Sequence, residues 1–432
     1  MGEPDLDFSR APEKVFLVGL YQRGDRLWEV KEHLSELSRL AWTAGAEVAG
    51  QVVLRRDKPH PGYFIGEGQA SIIGEQVEEE EIDTVIFDDD LSPAQGRNLE
   101  KKIGVKVLDR TQLILDIFAR HAATRAGRLQ IELAQMKYTL PRLRRMWTHL
   151  ERQKGGIGLR GPGEQQIEVD RRRIEERIDR LRTELEQVRR RRAEQRKGRR
   201  RHGWALVSLV GYTNAGKSTL LNQIAGADVE AYDKLFATLD PTTRRVKLPN
   251  NQYALITDTV GFIRKLPHGL IESFKATLEE VSEADLLVHV VDAAHPEVDS
   301  QIDAVNDVLR EISADEKPVL VVLNKIDNAK AMAHCKVLEK RFGRCVWMSA
   351  RRGDGVEEFF HALADALKHR NTELKLRIPL SEGALIARLH ASANILHADY
   401  QDGHVDMRAR VPKRLLGEVS PFHGKDTDSE DV

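Results

Sequence analysis

The segment Gly211-Tyr212-Thr213-Asn214-Ala215-Gly216-Lys217-Ser218 matches G-x-x-x-x-G-K-[ST] and constrains this chain more than any other feature. It directly follows the short apolar run Ala205–Val210 and precedes Leu220, Leu221 and Ile224, which fall at helical spacing. A strand that feeds a helix through a glycine-bearing turn is the context that makes this pattern a phosphate cradle. Glycine lets the backbone fold tightly and aim its N–H groups at phosphates, and the helix N-terminus favours the anion. Lys217 is the candidate bridge between β- and γ-phosphates. The Ser218 hydroxyl, with Thr219 next on the helix, is a candidate Mg²⁺ ligand.

The cradle alone does not choose a base. Asn324-Lys325-Ile326-Asp327 follows the apolar run Val319–Leu323 and supplies that choice. A carboxylate at Asp327 accepts from both N1–H and the exocyclic amine of guanine; adenine offers neither, and the carboxylate would be left unpaired. Asn324 is placed to tie this loop to the cradle, and the Lys325 stem to cover the base. Ser349-Ala350-Arg351 follows the next strand, Val346–Met348, where a backbone N–H can meet the guanine O6. Asp258-Thr259-Val260-Gly261 follows Tyr253–Thr257. Its carboxylate can hold Mg²⁺ through water, and the Gly261 N–H can report on the γ-phosphate. Between these lies Phe236-Ala237-Thr238-Leu239-Asp240, then Pro241-Thr242-Thr243. Thr238 is the preferred residue to close the Mg²⁺ shell, with Thr242 and Thr243 as rivals. Lys217, Thr238 and Gly261 are the expected catalytic set. Phe262 stands where many GTPases carry a water-orienting glutamine, so hydrolysis is expected to be slow until a partner supplies order or charge.

The 432 residues carry 67 Lys+Arg and 68 Asp+Glu, a balance that at first argues against a nucleic-acid-coating protein. The balance is local cancellation. Between Lys137 and Arg201 there are 22 basic and 10 acidic residues, a surplus of +12, which leaves −13 elsewhere. Leu129, Leu133, Met136, Leu140, Leu143, Trp147 and Leu150 step by heptad spacing. So do Ile174, Ile178, Leu181, Leu185 and Val188, and the two stripes predict an antiparallel coiled-coil hairpin. Pro141 is expected to kink the first helix. The connecting loop Gly155–Gly163 is glycine-rich, and the run Arg189–Arg192 suits a polyanion. Residues 14 to about 120 alternate strand and helix, which predicts a mostly parallel sheet, with Ser92-Pro93 starting one helix. Two cysteines, Cys335 and Cys345, exclude a disulfide scaffold, and the 15 histidines include no HExxH pair. No apolar run reaches membrane-spanning length, and the N-terminus has no signal-peptide core, so a monomeric cytoplasmic protein is expected.

The ordered set G-Y-T-N-A-G-K-S, F-A-T-L-D, D-T-V-G-F, N-K-I-D and S-A resembles the HflX branch of translation-associated GTPases. Pro61-Gly62-Tyr63-Phe64-Ile65-Gly66, the loop from Gly155 to Glu164 and Asp170-Arg171-Arg172 resemble that family's own signatures. The resemblance implies a multidomain α/β protein. Its parts are an N-terminal α/β domain (1–125), a basic helical hairpin (126–201), a P-loop G domain (202–370), a small α+β domain (371–415) and a disordered tail (416–432). It also implies GTP and GDP as ligands, Mg²⁺ as cofactor and the large ribosomal subunit as partner, with the hairpin reaching toward the peptidyl-transferase region. Splitting or rescue of stalled ribosomes under stress is the implied role. K⁺ is a further candidate cofactor, because related GTPases with asparagine at the position of Asn214 use it beside the phosphates. The competing expectation is an RNA-remodelling NTPase that uses ATP as well as GTP.

Overall fold

The computed structural model describes residues 12–143, 162–201, 204–226, 236, 241–249, 252–265, 278–367, 371–412 and 415–423. Contact density divides the chain into two units. The first runs to Glu186 and includes Phe236; the second holds the remaining described residues.

In the first unit, β1 (Lys14–Tyr21), β2 (Glu47–Arg55), β3 (Thr84–Phe87) and β4 (Lys106–Asp109) form a parallel sheet in the order β2-β1-β3-β4. Its apolar residues cover both faces, as a parallel sheet requires. Phe16, Val18 and Leu20 of β1 share a core with Ala70, Ile73 and Val77 of α2 (Glu67–Glu79) and Leu99 and Ile103 of α3 (Pro93–Ile103). On the other face, a Cβ added at Gly19 would sit 3.1 Å from Leu34 of α1 (Leu27–Thr43). The Ser92-Pro93 start of α3 is a full capping box: Ser92 Oγ accepts from the Gln95 N–H, and Gln95 Oε1 accepts from the Ser92 N–H.

Two ionic groups organise the carboxyl ends of β3 and β4. Arg110 opens α4 (Arg110–His121), is 1% exposed, and donates to Asp88 at 2.7 Å and to Glu36 of α1 at 3.0 Å. Its neighbour Asp109 caps α4 through the Gln112 N–H and also accepts from Tyr138 and Arg142. Those two lie one turn apart on α5 (Arg125–Leu143), so Asp109 clamps the base of that helix to the sheet. Burial is the main cause that pushes the Asp109 carboxyl up.

The antiparallel hairpin expectation is met where α5 and α6 (Pro162–Arg201) are described. Arg125 pairs with Glu184 and Arg177 with Glu132, which runs the helices in opposite directions. Leu129, Leu133, Ile178, Leu181 and Leu185 are buried. Pro141 does not end α5, which continues to Leu143: the lost N–H falls in the last described turn. Residues 144–161, including most of the glycine loop, lie outside the described residues.

In the second unit, a six-stranded sheet has the order β10-β9-β8-β5-β7-β6. Its strands are β5 (Ala205–Val210), β6 (Thr242–Lys247), β7 (Tyr253–Asp258), β8 (Leu286–Asp292), β9 (Val319–Asn324) and β10 (Cys345–Trp347). All pairings are parallel except β6 with β7. The chain leaves β5 toward β7 and later returns to its other side at β8, the kind of reversal at which open α/β sheets bind ligands. Strand β6 was not anticipated: only Val246 of its six residues is buried, and its sole partner strand is β7. A separate three-stranded antiparallel sheet, β11 (Asn371–Pro379), β13 (His404–Pro412) and β12 (Asn394–Gln401), packs on α11 (Gly383–Ser392). The tail expected to be disordered from 416 instead begins with a helical turn, Leu416–Val419, because Val419 is fully buried in that sheet's core. Among the described residues no helix is long and apolar enough to cross a membrane.

Removing Arg110 takes the shared cation away from two buried carboxylates, Glu36 and Asp88. Arg110→Ala is therefore expected to destabilise the protein by about 3–5 kcal/mol in denaturant unfolding. A loss under about 1 kcal/mol would show that water reaches these carboxylates.

Candidate functional site

The motifs lie in loops at the carboxyl ends of neighbouring strands. The Gly211–Ser218 segment joins β5 to α7 (Lys217–Ala225). Asp258 ends β7 beside it, and Asn324 ends β9. Parallel pairing therefore delivers three segments, far apart in sequence, to one edge of the sheet.

Asn324 joins the loops directly. Its Nδ2 donates to the Ala215 carbonyl at 2.8 Å, and its Oδ1 accepts the Ala350 N–H at 2.9 Å. The side chain is 2% exposed, so both bonds act away from competing water. Gly216 must be glycine: its φ is +96°, and an added Cβ would lie 2.2 Å from Asn324 Nδ2. Asp327 accepts from Ser349 Oγ at 2.8 Å, the main cause that holds its carboxyl below the ordinary aspartate value. An ionised carboxylate at this rim can take two donors from a planar base. Lys325 pairs with Asp292 at 2.8 Å, which directs its stem along the same rim. The Ser349 and Ala350 amides differ from expectation. The first donates to the Asp354 carbonyl and the second to Asn324, so both are engaged within the protein. Ile326, also in this loop, packs against the apolar cluster around Val291 and Leu323.

At the phosphate end, Lys217 is buried and folds back onto the loop. Its Nζ donates to the Gly211 carbonyl at 3.1 Å and the Tyr212 carbonyl at 2.8 Å. Burial pushes its pKa down to about 8, and the nearby Asp258 carboxylate only partly opposes this. Ser218 Oγ donates to Asp258 Oδ2 at 2.6 Å. A hydroxyl and a carboxylate this close form a hard-oxygen pair suited to Mg²⁺, so the donor chemistry fits that ion. Among the described residues no cluster of three or more His, Cys, Asp or Glu forms any other metal site. Thr259 is fully buried and donates to the Leu209 carbonyl, and Val260 is buried. Thr213 and Ala215 are buried within the loop, Thr219 is half-buried on α7, and Asn214 has a left-handed φ of +59°.

The segment after β7 is laced to the phosphate loop. The Phe262 N–H donates to the Gly211 carbonyl at 3.1 Å, and the Thr213 N–H donates to the Phe262 carbonyl at 2.8 Å. Gly261 is thereby held against the loop: an added Cβ would stand 2.9 Å from Thr213 Cα and 3.0 Å from Lys217 Nζ. The Phe262 ring is 1% exposed and packs in the interior.

Thr238, Ala237, Leu239 and Asp240 lie outside the described residues. Thr242 and Thr243, the rivals of Thr238, are in β6, where Thr243 shares a hydrogen bond with Thr257 at 3.0 Å. Phe236 was expected at the nucleotide. Its ring is instead 3% exposed and meets Phe118 of the first unit edge-on at 4.5 Å, because apolar burial outweighs any polar contact it could make. Arg351 is exposed.

Residues 31–119 match the model of a GTP-binding GTPase N-terminal domain, 121–199 that of a GTP-binding GTPase middle region, and 206–325 that of a 50S ribosome-binding GTPase. The GTPase HflX of Magnetococcus marinus is 45% identical over 96% of this chain and 97% of its own. The GTPase HflX of Escherichia coli is 46% identical over 93% and 94%. A crystal structure of a GTP-binding protein from Sulfolobus solfataricus in complex with GDP is similar at 25% identity and a TM-score of 0.43, over 83% of this chain and 99% of that one.

The depressed Lys217 pKa gives a pH signature. Phosphates favour the ammonium, so the bound pKa lies above the free value of about 8. Below that value the lysine is charged in both states and affinity is flat. Above it, binding takes up a proton, and the Kd for GDP should climb about fivefold between pH 8 and pH 9. Calorimetry in buffers of different ionisation enthalpy reads the proton directly. A flat Kd with no buffer dependence over this interval would contradict the burial of a titrating Lys217.

Proposed function

Because this chain belongs to the HflX family of GTPases and is a GTP-binding, GTP-hydrolysing enzyme, we propose that its nucleotide cycle governs binding to the large ribosomal subunit and the dissociation or rescue of stalled ribosomes. The observation that carries this reading is the conjunction of a pre-assembled guanine site with a long basic helix. Helix α6 spans Pro162–Arg201, and Arg190 and Arg191 are exposed on it. Phosphate backbones attract such a surface whatever their base sequence. Arg189, beside them, pairs with Glu279 at 2.7 Å and is partly withdrawn from a polyanion. The 50S-binding description of the matching G-domain model supports the same partner.

In the proposed site the Gly211–Thr219 segment cradles the phosphates, and Lys217 neutralises charge that develops between the β- and γ-phosphates. Ser218 would ligate Mg²⁺, with Asp258 and Thr238 as the further residues that would hold it. Mg²⁺ supplies Lewis-acid stabilisation of the leaving phosphate oxygens. Gly261 senses the γ-phosphate through its N–H. Asp327, framed by Asn324, Lys325 and the Ser349–Arg351 loop, selects guanine. The apolar, interior Phe262 cannot orient a water molecule, so basal hydrolysis is slow and the ribosome completes the site. K⁺ beside Asn214 would add a further positive charge at the phosphates; equal turnover in K⁺ and Na⁺ would dismiss that part.

The decisive assay is GTP turnover with and without isolated large subunits. At least tenfold stimulation is expected, with loss of most of it when Arg190 and Arg191 are reversed to Glu and Arg189 is kept. Unchanged turnover on adding subunits would sink the proposal of ribosome-completed hydrolysis.

A further inference from the structure

The second position of the phosphate loop is unspecified in the motif, yet Tyr212 occupies it with a bulky side chain that is only 8% exposed. Strand β7 pairs with β5 up to Leu209 opposite Asp258, and the parallel pairing resumes beyond the loop as a bridge between Tyr212 and Phe262. Two main-chain bonds make that bridge. The Tyr212 side chain adds a third rung: its hydroxyl accepts the Arg264 N–H at 3.0 Å. The same residue's carbonyl accepts from Lys217 Nζ at 2.8 Å. Tyr212 thus holds the lysine with its main chain and the segment after Gly261 with its side chain.

Gly261 lies inside the span these contacts fix. Its backbone is pressed against Thr213 and Lys217, closely enough that a Cβ would collide with both. The rungs at Phe262 and Arg264 lie one and three residues beyond it, so freeing Arg264 lets the strand end fray back toward Gly261.

We propose that Tyr212 is a positioning residue for the γ-phosphate: its hydroxyl, by holding the Arg264 N–H, keeps the Gly261 amide preset beside Lys217. This rests on the reading of the site as a GTP site. GDP has no γ-phosphate and makes no demand on Gly261, so this contribution of Tyr212 appears as a preference for GTP over GDP. A neutral hydrogen bond of ordinary strength corresponds to about 3- to 10-fold in affinity.

Tyr212→Phe keeps the ring and its burial and deletes the hydroxyl that accepts the Arg264 N–H. Binding of fluorescent GDP and of a fluorescent non-hydrolysable GTP analogue is measured on both proteins. The variant is expected to lose about 3- to 10-fold more affinity for the analogue than for GDP. Equal weakening of both ligands would assign Tyr212 a structural role only, and no change in either would remove any role for the hydroxyl; both overturn the proposal. The wild-type GDP arm tests the underlying reading separately, since a site that takes no GDP is not the proposed site at all.

Discussion

The Asn324 carboxamide is the joint on which the nucleotide site depends. It is one of few side chains that can donate and accept at once, and it uses both functions on main-chain groups of different loops, Ala215 and Ala350. Base recognition and phosphate recognition are thereby one rigid assembly. The buried location makes the joint strong and makes its loss costly, because a carbonyl and an N–H would both be left unpaired. The close fit forces Gly216 to be glycine, which links the backbone chemistry of the cradle to the asparagine of a strand more than a hundred residues later.

Around this joint the two ends of the site are tuned differently. At the base end, Ser349 stabilises an ionised Asp327, as recognition of two donors requires. At the phosphate end, burial disfavours the Lys217 ammonium until an anion arrives, so the loop's own carbonyls hold it meanwhile. The main-chain lacing of Phe262 to Gly211 and Thr213 holds Gly261 against the loop, and the Tyr212 hydroxyl extends that lacing to Arg264. That leaves the Phe262 side chain free to serve the apolar interior, where it offers nothing to a water molecule.

Much of this was legible in the sequence because it depends on short apolar runs and fixed spacings. The apolar run Ala205–Val210 is a strand residue for residue, and Ser92-Pro93 starts a helix as expected. What escaped notice lacks a local signal. Strand β6 is polar at five of six positions, since it is an edge that buries one side chain. Helix α2 carries Gly74 at its centre, a poor helix former that is kept because a Cβ would crowd the Ile103 backbone at 3.3 Å. The tail looked polar, but one buried Val419 recruits it to the last core. Phe236 looked like part of the nucleotide motif and is held by Phe118. The work of Tyr212 sits at a motif position where any residue is allowed, so only the hydrogen bond to Arg264 reveals it.

In the proposed cycle the guanine-nucleotide frame controls the binding of the basic helix to ribosomal RNA. Cosedimentation of the full chain with large ribosomal subunits in GDP and in a non-hydrolysable GTP analogue tests this most directly. The account predicts that the analogue retains the protein on the subunit and GDP releases most of it, with binding that weakens steeply as salt rises. Equal retention in both nucleotides would show that the basic helix binds without regard to the site, and would contradict it.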